Sequence, residues 1–394
     1  MTDAVNAAER KVLDWLAEQR GTMLALLETL VNTDGGSHDK EGVDKVGAHL
    51  RTFMEGQGVA CETLPNEQFG DALRATVSGN GAGVDGGNST IMLLGHRDTV
   101  FPKGEPTRRP FRIENGRAYG PGVCDMKAGL VMNAYVLAAF QKHGGAPAPL
   151  VGLFTSDEEI GSPACRPLIE AEARRARAVF NSEPGRPGNA VVTGRKGCVF
   201  MRLAITGKAA HSGANFGDGI SAIEELAHKI IKLHALTDLE RGITLNVGLI
   251  SGGQTVNTTA PSAEAEVDLR FVKPADYDAT IAKVREIVAT SYVPGTTAEL
   301  SIYGQFLPLV ETANSQSLYA HYAACAEAVG DPVTSTFTGG CADSGFAAAV
   351  GAPTICAVGP VGGKPHSPEE YLEVDSLVPR AQNLALTIMR MGAK

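Results

Sequence analysis

Five residues of nitrogen- or oxygen-ligand type, His96, Asp125, Glu159, Glu183 and His366, fall in loops at or near the ends of apolar, strand-like runs. Imidazole and carboxylate donors suit zinc or another divalent ion, and five of them match a pair of ions sharing one bridging carboxylate. Two ions ~3.5 to 4 Å apart would clamp a water and an acyl oxygen, the arrangement for hydrolysing an amide. Taken singly, each residue has an ordinary reading: His96 and Asp98 as caps of a sheet edge, Asp157-Glu158-Glu159 as a solvated turn, His366 as one of nine histidines. Their joint placement is what points to a metal centre. The adjacent acids Glu158 and Glu159 take separate roles, because neighbouring side chains cannot both point at one metal with the same geometry. One ligates, and the other stays free as a general base that later returns its proton to the leaving amine. Asp98, two residues beyond His96, is placed to hold that imidazole's second nitrogen.

The elements that position these groups are written in the hydrophobic pattern. Ile91-Met92-Leu93-Leu94 predicts a strand buried on both faces, and it runs straight into Gly95-His96-Arg97-Asp98-Thr99. Leu150 to Phe154 leads in the same way to Asp157-Glu158-Glu159, and Ala178-Val179-Phe180 to Asn181-Ser182-Glu183. Asn115-Gly116 signals a hairpin, after which Gly120-Pro121-Gly122-Val123-Cys124-Asp125 opens an apolar helix through Leu130, Ala134, Leu137 and Phe140. Further helices are predicted around Val12 to Val31 and Val43 to Met54, a strand from Val59 to Leu64, and a turn-rich connection from Gly79 to Ser89. Strands ending in acidic or imidazole groups with helices between them predict an α/β sandwich.

From about Gly197 the pattern changes. An alternating strand (Phe200, Leu203, Ile205), a helix from Ser221 to Leu236, strands Ile243 to Ile250 and Ala263 to Phe271, a helix from Tyr277 to Ser291 and a strand near Leu300 follow the ferredoxin-like α+β order. The predicted division is therefore 1–196 with 308–394 as the catalytic domain and 197–307 as an inserted domain. The α/β pattern returns after Pro308 and finishes with a helix holding Leu377, Leu384 and Met389.

A length of 394 residues favours two domains over one core. With 35 Lys+Arg against 44 Asp+Glu the net charge is −9 and no dense basic cluster interrupts it, which disfavours a nucleic-acid partner. The hydrophobic share of 43% excludes global disorder. The start Met1-Thr2-Asp3-Ala4-Val5-Asn6 has no basic n-region or apolar h-region, and no window is expected to reach the ~20 apolar residues of a membrane span, so a cytoplasmic setting without a membrane partner is expected. Seven scattered cysteines without a Cys-x-x-Cys pair read as reduced thiols with packing roles.

His96-Arg97-Asp98-Thr99-Val100, Gly120-Pro121-Gly122-Val123-Cys124-Asp125-Met126-Lys127, Asp157-Glu158-Glu159-Ile160-Gly161-Ser162, Glu183-Pro184, Gly207-Lys208-Ala209-Ala210-His211-Ser212-Gly213 and His366-Ser367 stand in a recognisable order. In that order and spacing the chain resembles the aminoacylase/carboxypeptidase family of dizinc hydrolases, peptidase family M20, especially its bacterial glutamate carboxypeptidase branch. The resemblance runs from the helix near residue 10 to the C-terminus. It implies a zinc-exopeptidase-like α/β/α catalytic domain and an inserted domain that serves as lid and dimerisation element. It also implies two Zn2+ per chain, with Co2+ or Mn2+ as substitutes. Asp125 would bridge the ions, His96 and Glu183 would complete one site, Glu159 and His366 the other, and Glu158 falls on the catalytic base. His211 matches a histidine that stabilises the tetrahedral oxyanion, often across a homodimer, and Asn257 an asparagine of similar duty. Arg270 matches an arginine that holds the substrate carboxylate, a task suited to a planar fork of donors. Gly339-Gly340-Cys341-Ala342-Asp343 stands where the family has a glycine-rich substrate loop, whose backbone amides could receive a carboxylate; a tight turn is the equal alternative.

Three departures bear on the substrate. Asn257-Thr258-Thr259-Ala260-Pro261 is one residue longer than the family's usual Asn-x-x-Pro, Cys341 and Ala342 replace the commoner Gly and Thr, and Arg195-Lys196-Gly197 is similar to the wider deacylase branches. Glu at 183 goes with carboxypeptidases and deacylases. The expected activity is release of a C-terminal amino acid from a peptide or N-acyl amino acid; the alternatives are a small-acyl deacylase of the acetylornithine or succinyl-diaminopimelate kind and, more remotely, an inactive binding protein on the same fold.

Overall fold

The apolar runs form strands whose ends carry the polar residues. In the computed structural model, which describes residues 4–80 and 89–392, the strands are β1 (Ala60–Leu64), β2 (Ala72–Val77), β3 (Thr90–His96), β4 (Leu150–Thr155), β5 (Ala176–Asn181) and β6 (Ala190–Arg195), then β7 (Gly197–Thr206), β8 (Thr244–Gly252), β9 (Ser262–Phe271) and β10 (Thr297–Phe306), and finally β11 (Thr334–Thr338) and β12 (Thr354–Cys356). Residues 81–88 of the predicted turn-rich connection, and Met1 to Asp3, lie outside the described residues.

The chain divides into two compact units: Met1–Gly194, Leu309–Thr338 and Ala342–Lys394 form the first, and Arg195–Pro308 with Gly339–Cys341 the second. The tripeptide Gly339–Cys341, which the sequence assigns to the 308–394 segment, belongs with the second unit. Its anchor is Arg195, whose Nη1 donates to the carbonyls of Gly340 (3.3 Å) and Cys341 (3.1 Å).

In the first unit an eight-stranded mixed sheet has the order β1-β2-β4-β3-β5-β12-β6-β11. Every residue of β3 and β4 is buried, as expected of parallel strands covered on both faces. They pair in parallel with His96 opposite Thr155, and β3 pairs with β5 with Leu94 opposite Asn181. This register brings the C-terminal ends of three strands level, where ligands usually bind in such sheets. Strands β2 and β6 were not anticipated; Ala72–Val77 and Ala190–Arg195 contain short or polar residues and lack a long apolar run.

The helix Ala128–Lys142 lies against this sheet and is buried from Ala128 to Phe140. The stretch Val123–Lys142 has a mean hydropathy of 1.3 and is long and apolar enough to span a membrane, which corrects the expectation that no window reaches that length. Its apolar window is 94% buried within the protein, so neighbouring elements cover it. Arg112–Glu114 and Arg117–Tyr119 form the predicted hairpin around Asn115-Gly116, both with positive φ (51° and 77°). Arg117–Tyr119 pairs on its other side with Tyr371–Glu373, which pairs in turn with Gly362–Gly363, and His366 sits in the turn between those two short strands.

The second unit runs strand, helix, two strands, helix, strand, with the helices Ala222–His234 and Pro274–Ala289 and an antiparallel sheet of order β8-β9-β7-β10. That is the predicted ferredoxin-like architecture. One face of the sheet (Val199, Met201, Leu203, Ile205, Val267, Leu269) packs against Leu226, Leu233, Ile281 and Val284 of the helices. Phe200 does not share that face with Leu203 and Ile205, since side chains along a strand alternate and an even-numbered residue points the other way.

Candidate metal centre

The aligned strand ends gather the ligand-type residues of the first unit. His96 closes β3, Glu158 and Glu159 form a turn just after β4, and Glu183 follows β5 by two residues. Asp125 lies in the irregular stretch Val123–Lys127, entered through Gly122 at φ 70°. A Cβ on Gly122 would stand 2.5 Å from the Thr99 methyl, so glycine is required there for both conformation and space.

The side chains converge around Asp125. Its Oδ1 lies 3.3 Å from His96 Nε2 and its Oδ2 3.5 Å from His366 Nε2. Glu183 Oε1 is 3.5 Å from His96 Nε2, and Glu159 Oε2 is 3.1 Å from His366 Nε2. Glu158 Oε2 stands 3.9 Å from His96 Nε2. Among the described residues, donor atoms of His96, Asp125 and Glu159 lie within 4.8 Å of one another, and so do those of His96, Glu158 and Glu183. By this measure His96 is common to both groups, whereas the sequence expectation makes Asp125 the shared member. The two Asp125 oxygens face different histidines. Glu159 Oε1 is buried without a hydrogen-bond partner, a costly state for a carboxylate oxygen and one that a cation would relieve. The donor set and this orphan atom fit a divalent metal pair.

Asp98 acts more broadly than its sequence position suggests. His96 Nδ1 lies 3.0 Å from the Asp98 main-chain carbonyl and 3.4 Å from its carboxylate. The carboxylate accepts the amides of Glu158 and Glu159, both at 3.1 Å, and the Ser37 hydroxyl at 2.7 Å. One buried group thus orients a histidine and both acids. Glu370, which the sequence reading missed, does the same for Asp125: its carboxylate accepts the amides of Gly122 (3.1 Å), Cys124 (2.9 Å) and Asp125 (3.0 Å). The available signal was the acid pair Glu369-Glu370 just after His366. His366 itself adopts a left-handed φ of 61°, uncommon for a non-glycine residue and concentrated at functional positions.

Burial dominates the electrostatics. It raises Glu158 well above the ordinary carboxylate range, with Glu183 and Asp343 adding to the rise, and lifts Glu159 to about 7. Burial also opposes ionisation of Asp125, yet hydrogen bonds from His366 and His96 hold it below the ordinary value. Hydrogen bonds to Asp125 and Glu159 push His366 up to about 11. Asp343 and Glu370 are raised by burial to about 7. These directions combine in the ion-free chain. A raised carboxylate makes the folded state hold protons that the unfolded state has released, so stability falls as pH climbs from 4.5 through about 7. The raised His366 contributes stability that is complete below 6.5 and lost toward about 11. Both push the same way, and the chelator-treated protein is expected to show a Tm that falls from pH 5 to pH 8 by calorimetry; a rising Tm over that window would contradict it.

The remaining predicted residues lie in the second unit. His211 is exposed, with Nδ1 accepting the amides of Gly213 (3.1 Å) and Ala214 (3.2 Å), which leaves the proton on Nε2. Asn257 is exposed on the neighbouring loop, and its carbonyl accepts the Ser212 amide at 3.0 Å. Arg270 on β9 is braced by Asp268 through Nε (2.9 and 3.0 Å) and donates through Nη1 to Cys341 Sγ at 3.3 Å. Gly339 and Gly340 precede that cysteine.

The family model for peptidase family M20/M25/M40 matches residues 92–390. The chain belongs to this family. As an M20 protein it is a hydrolase that acts on peptide or amide bonds. Carboxypeptidase G2 of Pseudomonas sp. (strain RS-16) is 28% identical over 95% of this chain and 91% of its own length. An acetylornithine deacetylase of Edwardsiella ictaluri is 29% identical over 64% of this chain and 68% of its own. Among solved structures, a dinuclear metal-binding M20 peptidase of Bacillus subtilis has a TM-score of 0.65 at 15% identity, covering 95% of this chain and 98% of that one. The M20 assignment and the fold thus agree with the expectations drawn from the motifs. A cavity of about 590 Å³, lined by Ser37, His38, Thr99, Phe101 and Glu159 among others, opens beside Glu159 in the first unit.

Proposed function

We propose that this M20 hydrolase is a dizinc amidohydrolase that releases a C-terminal amino acid, in the manner of a glutamate carboxypeptidase, from a peptide or N-acyl amino acid. The observation that carries this reading is the Asp125 carboxylate, with one oxygen toward His96 and the other toward His366. His96, Asp125 and Glu183 would hold one ion and Asp125, Glu159 and His366 the other; cobalt or manganese suits the same donors. When bound, such a pair supplies Lewis acidity toward an acyl oxygen and a water nucleophile at neutral pH.

The chain's own residues do the rest. Glu158 accepts a proton from the attacking water and passes it to the departing nitrogen. Asp98 holds the amides of both acids and so sets the direction in which Glu158 points. His211, carrying its proton on Nε2, donates to the oxyanion, with Asn257 beside it. Arg270 receives the free carboxylate of the released amino acid, helped by the Gly339 and Gly340 segment. A homodimer through the second unit is supported by the edge strand β8, where Leu249 and Ile250 are 64% and 67% exposed, and by the exposed Ile223 and Ile231 of the neighbouring helix. A reducing, cytoplasmic setting, in which the seven cysteines stay as thiols, belongs to this reading.

A small-acyl deacylase is the second reading, favoured by the likeness to acetylornithine deacetylase. Liquid chromatography of metal-loaded protein incubated with folate-type glutamates, dipeptides and N-acetyl amino acids separates the two. Glutamate release supports the first reading, turnover of N-acetyl amino acids alone supports the second, and no turnover of any rejects both. Arg270→Ala is expected to lower kcat/KM by roughly ten-fold or more for substrates with a free carboxylate, since a hydrogen bond to a charged group is worth about 1.5 to 3 kcal/mol. Amidated analogues should be unaffected, and an equal loss for both kinds would remove Arg270 from that role.

A further inference from the structure

Cys198 and Cys341 are far apart in sequence, yet their sulfurs stand 3.0 Å apart within the second unit, about 1 Å beyond the length of a disulfide bond. Cys198 is buried near the start of β7, the strand between β9 and β10, directly opposite Arg270 on β9. Cys341 is partly exposed at the end of the Gly339–Cys341 tripeptide. Its sulfur accepts from Arg270 Nη1 at 3.3 Å, and its carbonyl accepts from Arg195 at 3.1 Å. We propose that Cys198 and Cys341 form a thiol-modification site, a reversible dithiol/disulfide pair that reacts with small-molecule disulfides.

The two sulfurs divide the chemistry. A hydrogen bond from Cys198, and the charges of Arg270 and Arg195, hold the Cys341 thiol below its ordinary value against the effect of burial. Burial pushes Cys61, Cys124, Cys165 and Cys325 the other way. The thiolate is the nucleophile, so the accessible Cys341 reacts first. With oxidised glutathione as oxidant, Cys341 Sγ attacks one glutathione sulfur, the glutathione S–S bond breaks, and one glutathione leaves as thiolate. The Cys198 thiol gives up its proton and attacks Cys341 Sγ, and the second glutathione departs from the mixed disulfide. Two protein thiols become one disulfide, one glutathione disulfide becomes two glutathione molecules, and the two protons end on the glutathione thiolates. The product ties the Gly339–Cys341 tripeptide covalently to β7 and changes the sulfur that accepts from Arg270 into a disulfide sulfur. Free glutathione reverses the reaction.

The test uses the full-length, fully reduced protein, incubated with oxidised glutathione under native conditions and analysed by intact mass and by peptide mapping without reduction. The expected result is loss of two hydrogen masses, two fewer titratable thiols than the seven of the reduced chain, and a cross-linked pair of peptides containing Cys198 and Cys341, all reversed by a dithiol reductant. Cys198→Ser, checked for folding by its thermal melt, should instead retain one glutathione on Cys341. Wild-type protein that keeps all seven thiols, or that reacts at other cysteines while this pair stays reduced, overturns the proposal even if the variant fails to fold.

Discussion

Glu158→Gln is expected to lower kcat by roughly 10²- to 10⁴-fold, the usual contribution of a positioned general base, while metal content and thermal stability stay near those of the parent protein. The amide keeps the size of the carboxylate but cannot take a proton from water. Its neighbour makes the contrast informative. Glu159 stands 3.1 Å from His366 and carries an orphan oxygen, whereas Glu158 stands on the His96 side at 3.9 Å. Glu159→Gln should therefore lose metal as well as rate. Steady-state kinetics paired with metal analysis of both variants separates the base from the ligand, and a Glu158→Gln protein with near-normal kcat would assign the base elsewhere.

Asp125→Asn is expected to reduce activity more severely than the roughly 10- to 100-fold that follows loss of a group standing behind a ligand. The reason lies in its two oxygens, one facing each histidine. An amide presents one oxygen and one NH2, and the NH2 cannot ligate, so the variant should bind fewer than two ions per chain. His366→Ala should empty one position only. If Asp125→Asn retained two ions and substantial turnover, the shared-carboxylate arrangement would be wrong.

Much of this centre is legible in the sequence because the apolar runs ending at Leu94, Phe154 and Phe180 announce buried parallel strands, and residues just beyond such ends face a common crevice. His96, Glu158, Glu159 and Glu183 all follow that rule. Asp125 and His366 do not sit at strand ends of the large sheet. They reach the site through an irregular segment and a short hairpin turn, whose geometry depends on Glu370 and on positive φ angles that the hydrophobic pattern does not encode. The place of Gly339–Cys341 was also hidden, because it depends on side-chain contacts with Arg195 and Cys198 rather than on any local propensity. The apolar stretch Val123–Lys142 was underestimated because a helix buried all round carries no amphipathic signature.

The proposed centre in the first unit has one carboxylate, that of Asp125, joining two metal ions. Its most direct test is the metal stoichiometry of wild-type protein, stripped by a chelator, reloaded with excess zinc, freed of unbound metal by gel filtration and measured by plasma mass spectrometry against protein concentration. The account predicts two zinc ions per chain with hydrolytic activity restored; a single tightly held ion under saturating zinc would contradict it.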